Sequence, residues 1–365
     1  MAWNDVLLGV TGAVYLAAIA WLWVGLRRGA AATSPLRPSV SVVVAARNEE
    51  AALDGCLEAL RRQDYLGPWE VVVVDDRSTD ATGVVAEARA RDWGGLRLIR
   101  VRDLPAGHCP KKHALAAGIA GSTGEILLFT DADCRPPPGW VRSTVARFTG
   151  QVGLVAGYAY PCGVHGAGQR LLALDNLAVG ALGRGSFGMG QPLSCSGRNL
   201  AYRRCVYDQV GGFASFMHLQ GGDDVYLMRR VRARTRWGMV HSGPEAAVPC
   251  LPPCIRPGRL LQQKLRHAGK AGHYTGLALL LGASVWLFHA ALAAGLVGMA
   301  WQGRPDPVVL GVWGARWLAD GGLLLGMARP EERPLLAGLP LLEVVYIPYA
   351  LIFTLAGRMG WSGWK

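Results

Sequence analysis

Charge is scarce in this chain. Of 365 residues only 18% are Asp, Glu, Lys or Arg, while 51% are apolar. Such a chain is neither disordered nor of low complexity, because it has apolar surface enough to offset the entropy lost on folding. Its 49 glycines show no Gly-X-Y period, which excludes a collagen helix. Neither the G-x-G-x-x-G fingerprint nor a G-x-x-x-x-G-K-[ST] loop is expected in the chain, against a dinucleotide dehydrogenase and a P-loop NTPase. The eight cysteines make no disulfide framework. Cys250 and Cys254 form a single C-x-x-x-C in a Pro-rich turn, with His241 and His267 as potential partners, and reduced thiols rather than a zinc site are expected there. The balance of 38 Lys+Arg against 26 Asp+Glu gives a formal charge of +12. No aromatic ladder, RNP-like run or zinc finger accompanies those cations, so nucleic acid is not an expected partner.

The apolar residues crowd the two ends. Val6 to Leu26 carries no charge and is bounded by Asp5 and by Arg27-Arg28. As a helix it is roughly 31 Å long, enough to cross the hydrocarbon core. A cleaved signal peptide would begin with Lys or Arg, and MAWND has neither. Residues 1–37 therefore read as a retained span (about 6–26) and a linker, and the Arg pair puts the following domain on the cytoplasmic side. Leu277–Trp301, Val308–Ala328 and Leu335–Gly357 repeat the signal within 275–365, separated by QGRPDP and RPEERP. Four spans of a multi-pass plasma- or inner-membrane protein are expected. Arg316 and Asp320, four apart, share one helix face, and Glu343 lies in the last span. Groups of this kind pair with one another or face a polar pocket; pairing between helices is the expectation. Before these spans, 256–274 sets Leu260, Leu261 and Leu265 against Lys and Arg, the pattern of an interfacial helix on anionic lipid.

Between the ends, 38–255 alternates strand-like and helix-like segments. Val40–Ala46, Val71–Val74, Leu96–Val101, Glu125–Thr130 and Val152–Ala156 are near-continuous apolar runs, as in strands of a parallel sheet buried on both faces. Leu53, Cys56, Leu57 and Leu60 recur at helical spacing, and a second helix is expected after Ser78, burying Val84, Val85 and Ala88. The reading is an α/β, Rossmann-like, mainly parallel sheet with its ligand at the carboxyl ends of the strands. Asp75-Asp76 end the second strand and Asp131-Ala-Asp133 end the fourth, so both acid pairs leave the same edge. With no Gly-rich phosphate loop, a metal and basic side chains must hold phosphate, and D-x-D in a strand-end turn suits Mg²⁺ or Mn²⁺.

The ordered runs VSVVVAARNEEAALDGCLEAL, EVVVVDDRSTDAT, KKHALAAGIAGSTGEILLFTDADCRP, SCSGRNLAYRRCVYDQVGGF and GGDDVYLMRRV, over about residues 40 to 270, resemble the family 2 glycosyltransferases of GT-A fold. That resemblance implies inverting transfer of a sugar from a UDP- or GDP-sugar, with a divalent metal. It implies Ala45, Arg47, Glu49, Asp75, Asp76, Lys111 and Asp131 on the donor nucleotide, and Asp133 with Asp131 on the metal. Asp224 falls at the position of the catalytic base, with Asp223 before it where the family pattern has Glu. Gly197 and Asn199 fall on the acceptor side. Gln263 and Arg266 match the start of the Q-x-x-R-W of processive members, but His267 replaces the Trp, so a single transfer is expected. With the trailing spans, this makes a lipid-type hydroxyl the expected acceptor and membrane lipids the expected surroundings. The alternatives are a processive polysaccharide synthase and a non-catalytic membrane protein that binds sugar nucleotides. The chemistry stands by itself: cations oppose the charge developing on the departing diphosphate, and a carboxylate takes the acceptor's proton.

Overall fold

The computed structural model describes residues 2–28, 32–253, 255, 258, 260–262, 264–265 and 276–358. Most of 256–274, including Gln263, Arg266 and His267, and also Cys254 lie outside them, and so do the expected interfacial helix and Q-x-x-R-H run. The chain divides into two compact units, Gly29–Gly163 with Ser186–Leu251, and Met1–Arg28 with Val164–Gly185 and Pro252–Lys365.

The first unit is built on a seven-stranded sheet. Its elements in chain order are β1 (Val40–Ala46), α2 (Glu50–Arg61), β2 (Trp69–Asp76), α3 (Thr82–Asp92), β3 (Leu96–Val101), α4 (Pro110–Ala120), β4 (Ile126–Phe129), α5 (Trp140–Val145), β5 (Val152–Ala156), β6 (Ala159–Pro161), β7 (Leu200–Arg203), α7 (Arg204–Gln209), α8 (Val225–Arg234), β8 (Gly238–His241) and β9 (Val248–Cys250). The sheet order is β3-β2-β1-β4-β7-β5-β8, and β6 pairs separately with β9. β7 alone runs antiparallel, to both β4 and β5, so the sheet is mainly parallel, as expected.

Alternation explains why the strands are apolar throughout. Val42, Val44, Val71, Val73, Ile126 and Leu128 pack on one face with Leu53, Cys56, Leu57 and Leu60 of α2. Val43, Val72, Val74, Leu127 and Phe129 point the other way, against Ala114, Leu115 and Ile119 of α4 and Val225, Leu227, Met228 and Val231 of α8. The central residues of β1, β2, β4 and β5 are buried on both faces, so neither face is polar there; β3, expected to be buried likewise, lies at the sheet edge and exposes Arg97 and Arg100. α4 lies close on the sheet: a Cβ at Gly118 would sit 2.6 Å from Val43 Cγ1 and 2.8 Å from Val74 Cγ2.

Two local expectations need correction. α3 begins at Thr82 rather than after Ser78, because the Asp80 carboxylate accepts from the Thr82 N–H at 2.9 Å while Ser78 Oγ accepts from the Asn48 N–H at 3.1 Å. The later start rotates the face: Thr82, Gly83 and Ala86 are buried, Val85 is partly buried, and Val84 and Ala88 are exposed. A Gly183-x-Gly185-x-x-Gly188 run also exists, but it lies inside a helix, α6 (Gly166–Gly188), and not in a strand-to-helix turn.

The second unit contains α1 (Ala2–Arg27) and the helices Gly276–Gln302, Pro307–Met327 and Leu339–Arg358. Among the described residues, four helices are long and apolar enough to cross a membrane: Asn4–Arg27, Gly276–Gln302, Pro307–Met327 and Arg333–Ala356. They coincide with the apolar runs of the sequence. Leu8, Phe288, Leu292, Val309 and Ile347 form their common core. Inside that core Arg316, 1% exposed, pairs with Glu343 at 2.7 Å and reaches Asp320 at 3.5 Å. Tyr15 donates its hydroxyl to Asp320 at 2.8 Å and stacks on Phe288. The expected i, i+4 pair is therefore one arm of a network that crosses three helices.

Removing one member of a buried ion pair leaves its partner uncompensated, which costs about 3–5 kcal/mol. Arg316→Met, which strands two carboxylates, should lower the thermal midpoint of the detergent-solubilised chain well below that of Glu343→Gln. Tryptophan-fluorescence melting of both variants measures this, and equal midpoints would contradict the pairing.

Candidate active site

The parallel register brings the acids together. Val43 lies opposite Phe129 and Ala46 opposite Asp75, so the chain leaves β1, β2 and β4 at one edge. Ala45 is half-buried at the end of β1, and Arg47 is exposed just beyond it. The next loops are tied to each other. Asn48 Oδ1 accepts from the Thr79 N–H at 2.8 Å, and the Glu49 N–H donates to Thr82 Oγ1 at 2.7 Å. Glu50 and Asp80 exchange bonds across the same gap: the Glu50 N–H reaches Asp80, and the Ala81 N–H reaches Glu50. Asn48 and Arg77 both have φ of 55°, a conformation that side chains rarely adopt and that these bonds hold in place.

Asp75 and Asp76 serve this floor. Asp75 accepts from the Ser78 N–H at 3.2 Å, and a Cβ at Gly83 would come within 2.6 Å of its Oδ2. Asp76 is buried and paired with Arg77 at 2.8 Å.

The second acid pair faces Glu49. Asp131 and Asp133 follow β4, and Lys111, in the first turn of α4, donates to Asp131 Oδ1 at 2.8 Å. The same ammonium is 3.9 Å from Asp223 Oδ2. Partial loss of water around this half-buried ammonium opposes its charge, but Asp131 and Asp223 hold Lys111 protonated well above the usual lysine range. Burial and then Asp131 raise Asp133, while Arg198 and Lys111 pull it back. Glu49 is pushed up to about 7 by burial, then by Asp133, Asp131 and Asp80. The carboxylates of Glu49, Asp131, Asp133, Asp223 and Asp224 outnumber the cations of Lys111 and Arg198.

Asp224 caps α8. Its Oδ1 accepts from the Val225 N–H at 2.7 Å and its Oδ2 from the Gly197 N–H at 3.2 Å. Two backbone donors and the amino end of the helix favour its charge. Asn199 plays a different part. It is 1% exposed and its amide is taken up by the fold: it donates to Tyr158 O at 2.9 Å and Ala246 O at 2.7 Å, and accepts from Trp140 Nε1 at 3.0 Å. Its role is to hold the turn that presents Gly197.

The adjacent lysines diverge. Lys112 is fully buried and donates to Phe216 O at 2.9 Å and to Leu219 O, with its Nζ 5.3 Å from the Phe216 ring. It thus fastens the segment that leads to Asp223 and Asp224. Arg198 escaped the sequence reading. Its guanidinium donates to Cys250 Sγ at 3.0 Å and its charge bears on Asp133. Its place between Gly197 and Asn199, both singled out, was the available signal.

An all-oxygen donor set suits a hard cation. Among the described residues, no three His, Cys, Asp or Glu side chains come together as a metal cage. Mg²⁺ and Mn²⁺ sites on phosphate substrates need only one or two carboxylates, since phosphate and water complete the shell. Asp131 and Asp133, under mutual repulsion, fit that requirement.

Comparison with known proteins bears on the family and the fold. The sequence model described as Glycosyl transferase family 2 matches residues 41–211. Glycosyltransferase AglE of Haloferax volcanii is 31% identical over 204 residues, 53% of this chain and 61% of that protein. Beta-monoglucosyldiacylglycerol synthase of Synechocystis sp. is 35% identical over 124 residues, 34% of this chain and 25% of that protein. The matches therefore span less than two thirds of either relative. In fold, the chain is similar to mannosyltransferase PcManGT from Pyrobaculum calidifontis, solved with GDP-Man and Mn²⁺, at a TM-score of 0.60 and 22% identity over 96% of this chain and 99% of that one.

Glu49 gives a pH signature. Its usual carboxyl value of 4.5 rises to about 7 in the fold, so the folded state binds the extra proton and stability is lost as pH rises through that window. With a chelator present, the wild-type melting midpoint should fall relative to that of Glu49→Gln between pH 4.5 and 7. A pH series of melts checks this; parallel curves would rule it out.

Proposed function

From the premise that residues 41–211 belong to glycosyl transferase family 2, we propose that this protein is a membrane-bound, inverting, metal-dependent glycosyltransferase. It moves one sugar from a nucleotide-diphosphate sugar, UDP- or GDP-linked, to a lipid-type hydroxyl acceptor. The observation that carries the reading is the pairing, at one sheet edge, of the Asp131 carboxylate with Lys111, with Asp133 two residues on and a helix-capping Asp224.

In this reading the floor made by Ala45, Arg47, Glu49, Asp75 and Asp76 receives the nucleotide. A divalent ion on Asp133 and Asp131, when bound, neutralises charge on the leaving diphosphate. Lys111 adds a fixed cation to the same end. Asp224 takes the proton of the acceptor hydroxyl as that oxygen attacks the anomeric carbon from the side opposite the leaving group, which inverts the centre. Asp223 and the Gly197 turn shape the acceptor side, and Gln263 and Arg266, outside the described residues, are assigned to the diphosphate by the resemblance of their run alone.

The domain bounds 38–255, 256–274 and 275–365 and a cytoplasmic catalytic domain belong to the same proposal, supported by the four apolar helices and the Arg27-Arg28 pair. The lipid acceptor is supported by those helices and by the absence of Trp after Arg266. A relative named for diacylglycerol glucosylation makes glycerolipids the first acceptors to try.

Membranes carrying the chain, given a panel of labelled nucleotide-sugars and Mn²⁺, should yield an organic-soluble product one sugar heavier than its acceptor by mass spectrometry. A polymeric, water-soluble product would refute single transfer.

Asp224→Asn should cut turnover by ~10²–10⁴-fold with donor affinity within about twofold. Initial rates and nucleotide titration on the same preparation test this, and an unchanged rate would remove Asp224 from the base role.

A further inference from the structure

Lys111 stands where a metal's charge is needed. Its ammonium is 2.8 Å from Asp131 Oδ1, and both side chains remain open to solvent, 38% and 32% exposed. A second carboxylate, Asp223, lies 3.9 Å from the same nitrogen. Between them the backbone of Gly197 leaves room: a Cβ there would come within 2.9 Å of Asp223 Oδ2 and lie 3.7 Å from the Lys111 nitrogen. The ammonium is thus a cation with two alternative seats, one shared with the D-x-D pair and one with the acid pair before α8.

We propose that Lys111 is a positioning residue that competes with the divalent ion for Asp131, so that the ion binds strongly only after a diphosphate has drawn the ammonium away. Two cations on one carboxylate repel, and each lowers the affinity of the other. A diphosphate relieves the conflict by giving Lys111 another anion, while Asp223 holds it nearby. Nucleotide and metal then favour each other reciprocally, since coupling between two sites is the same read from either. In an empty site the carboxylates stay balanced by an internal charge, and a metal ion without donor is held poorly.

This inference rests on the reading of Asp131 and Asp133 as the metal pair, and the test separates the two. The full-length chain in detergent is titrated with Mn²⁺ alone, and free Mn²⁺ is followed by electron paramagnetic resonance. The wild type should bind weakly, Lys111→Arg equally weakly, and Lys111→Met roughly tenfold more tightly or better, as removal of an adjacent unit charge requires. In an Asp131→Asn background, Lys111→Met should give no tightening, because the freed ligand is gone. Adding UDP or GDP should tighten Mn²⁺ binding to the wild type by a larger factor than to Lys111→Met. If Lys111→Met, with melting that shows it folded, binds Mn²⁺ no better than wild type, the competition does not exist. If Asp131→Asn and Asp133→Asn both bind Mn²⁺ like wild type, the metal pair itself is misassigned. Lys111→Gln, which keeps a polar side chain without the charge, supplies the same comparison should the Met variant fail to fold.

Discussion

A group of carboxylates at one edge of a sheet can persist only if something balances its charge, and the rest of this site is arranged around that constraint. Asp131 and Asp133 face Glu49, and their repulsion shows in the raised Asp133 and in a Glu49 carboxyl pushed up to about 7. The 2.8 Å pair with Lys111 and the charge of Arg198 are what the fold offers in return. Both cations are fixed from elements outside β4: Lys111 by the first turn of α4, Arg198 by the segment leading into antiparallel β7. The site is therefore a product of sheet topology as much as of the acids themselves.

That dependence gives α4 a double task. Its two adjacent lysines leave the helix on different sides, one into the acid cluster and one into the core. Lys112, buried on the carbonyls of Phe216 and Leu219, holds the segment that continues to Asp223 and Asp224. The Cys109 N–H adds a bond to Met217 O at 2.9 Å. A single helix end thus fixes the separation between the D-x-D side and the α8 cap. Because a buried ammonium is costly to leave unsatisfied, the segment has little freedom to drift from it.

How much of this could be read from the sequence follows the same physics. The runs of β1, β2, β4 and β5 were legible because burial of their central residues on both faces forces unbroken apolar stretches, and the four apolar helices because a stretch long and apolar enough to cross a membrane is plain in a sequence. The helix of Leu53, Cys56, Leu57 and Leu60 was legible because it buries one face only, which sets apolar residues at helical spacing against charged ones. α3 was not, since its start is set by the Asp80 side chain and its inward face is Thr82, Gly83 and Ala86, small residues that leave no periodic signal. β7 went unread because Leu200–Arg203 is too short for a pattern and pairs with strands distant in sequence. At the site, the acids that follow strands were legible because a strand's end is visible. The partners of those acids were not: whether Asn199 meets solvent or the Trp140 indole, and whether Arg198 faces Asp133 or water, depends on contacts that no spacing encodes. Arg316 shows both sides of this, its i, i+4 partner plain in the sequence and its shorter pair with Glu343 supplied by another helix.

The tied loops under the site bear on how such an arrangement could lower a barrier. Electrostatic stabilisation is effective when charges and dipoles already point the right way and need no reorganisation as the reaction proceeds. The bonds from the Thr79 N–H to Asn48, the Glu49 N–H to Thr82 and the Ala81 N–H to Glu50 fix two loops against each other, and they hold Asn48 and Arg77 in conformations that free loops would leave. On the proposed reading, rigidity is placed under the nucleotide, where binding must orient the sugar. A lysine side chain with two carboxylates in reach, at 2.8 and 3.9 Å, is placed where that reading has the charge change. A stiff floor with a cation shared between two acids suits a reaction that creates charge on a diphosphate at one moment and must release that diphosphate at the next.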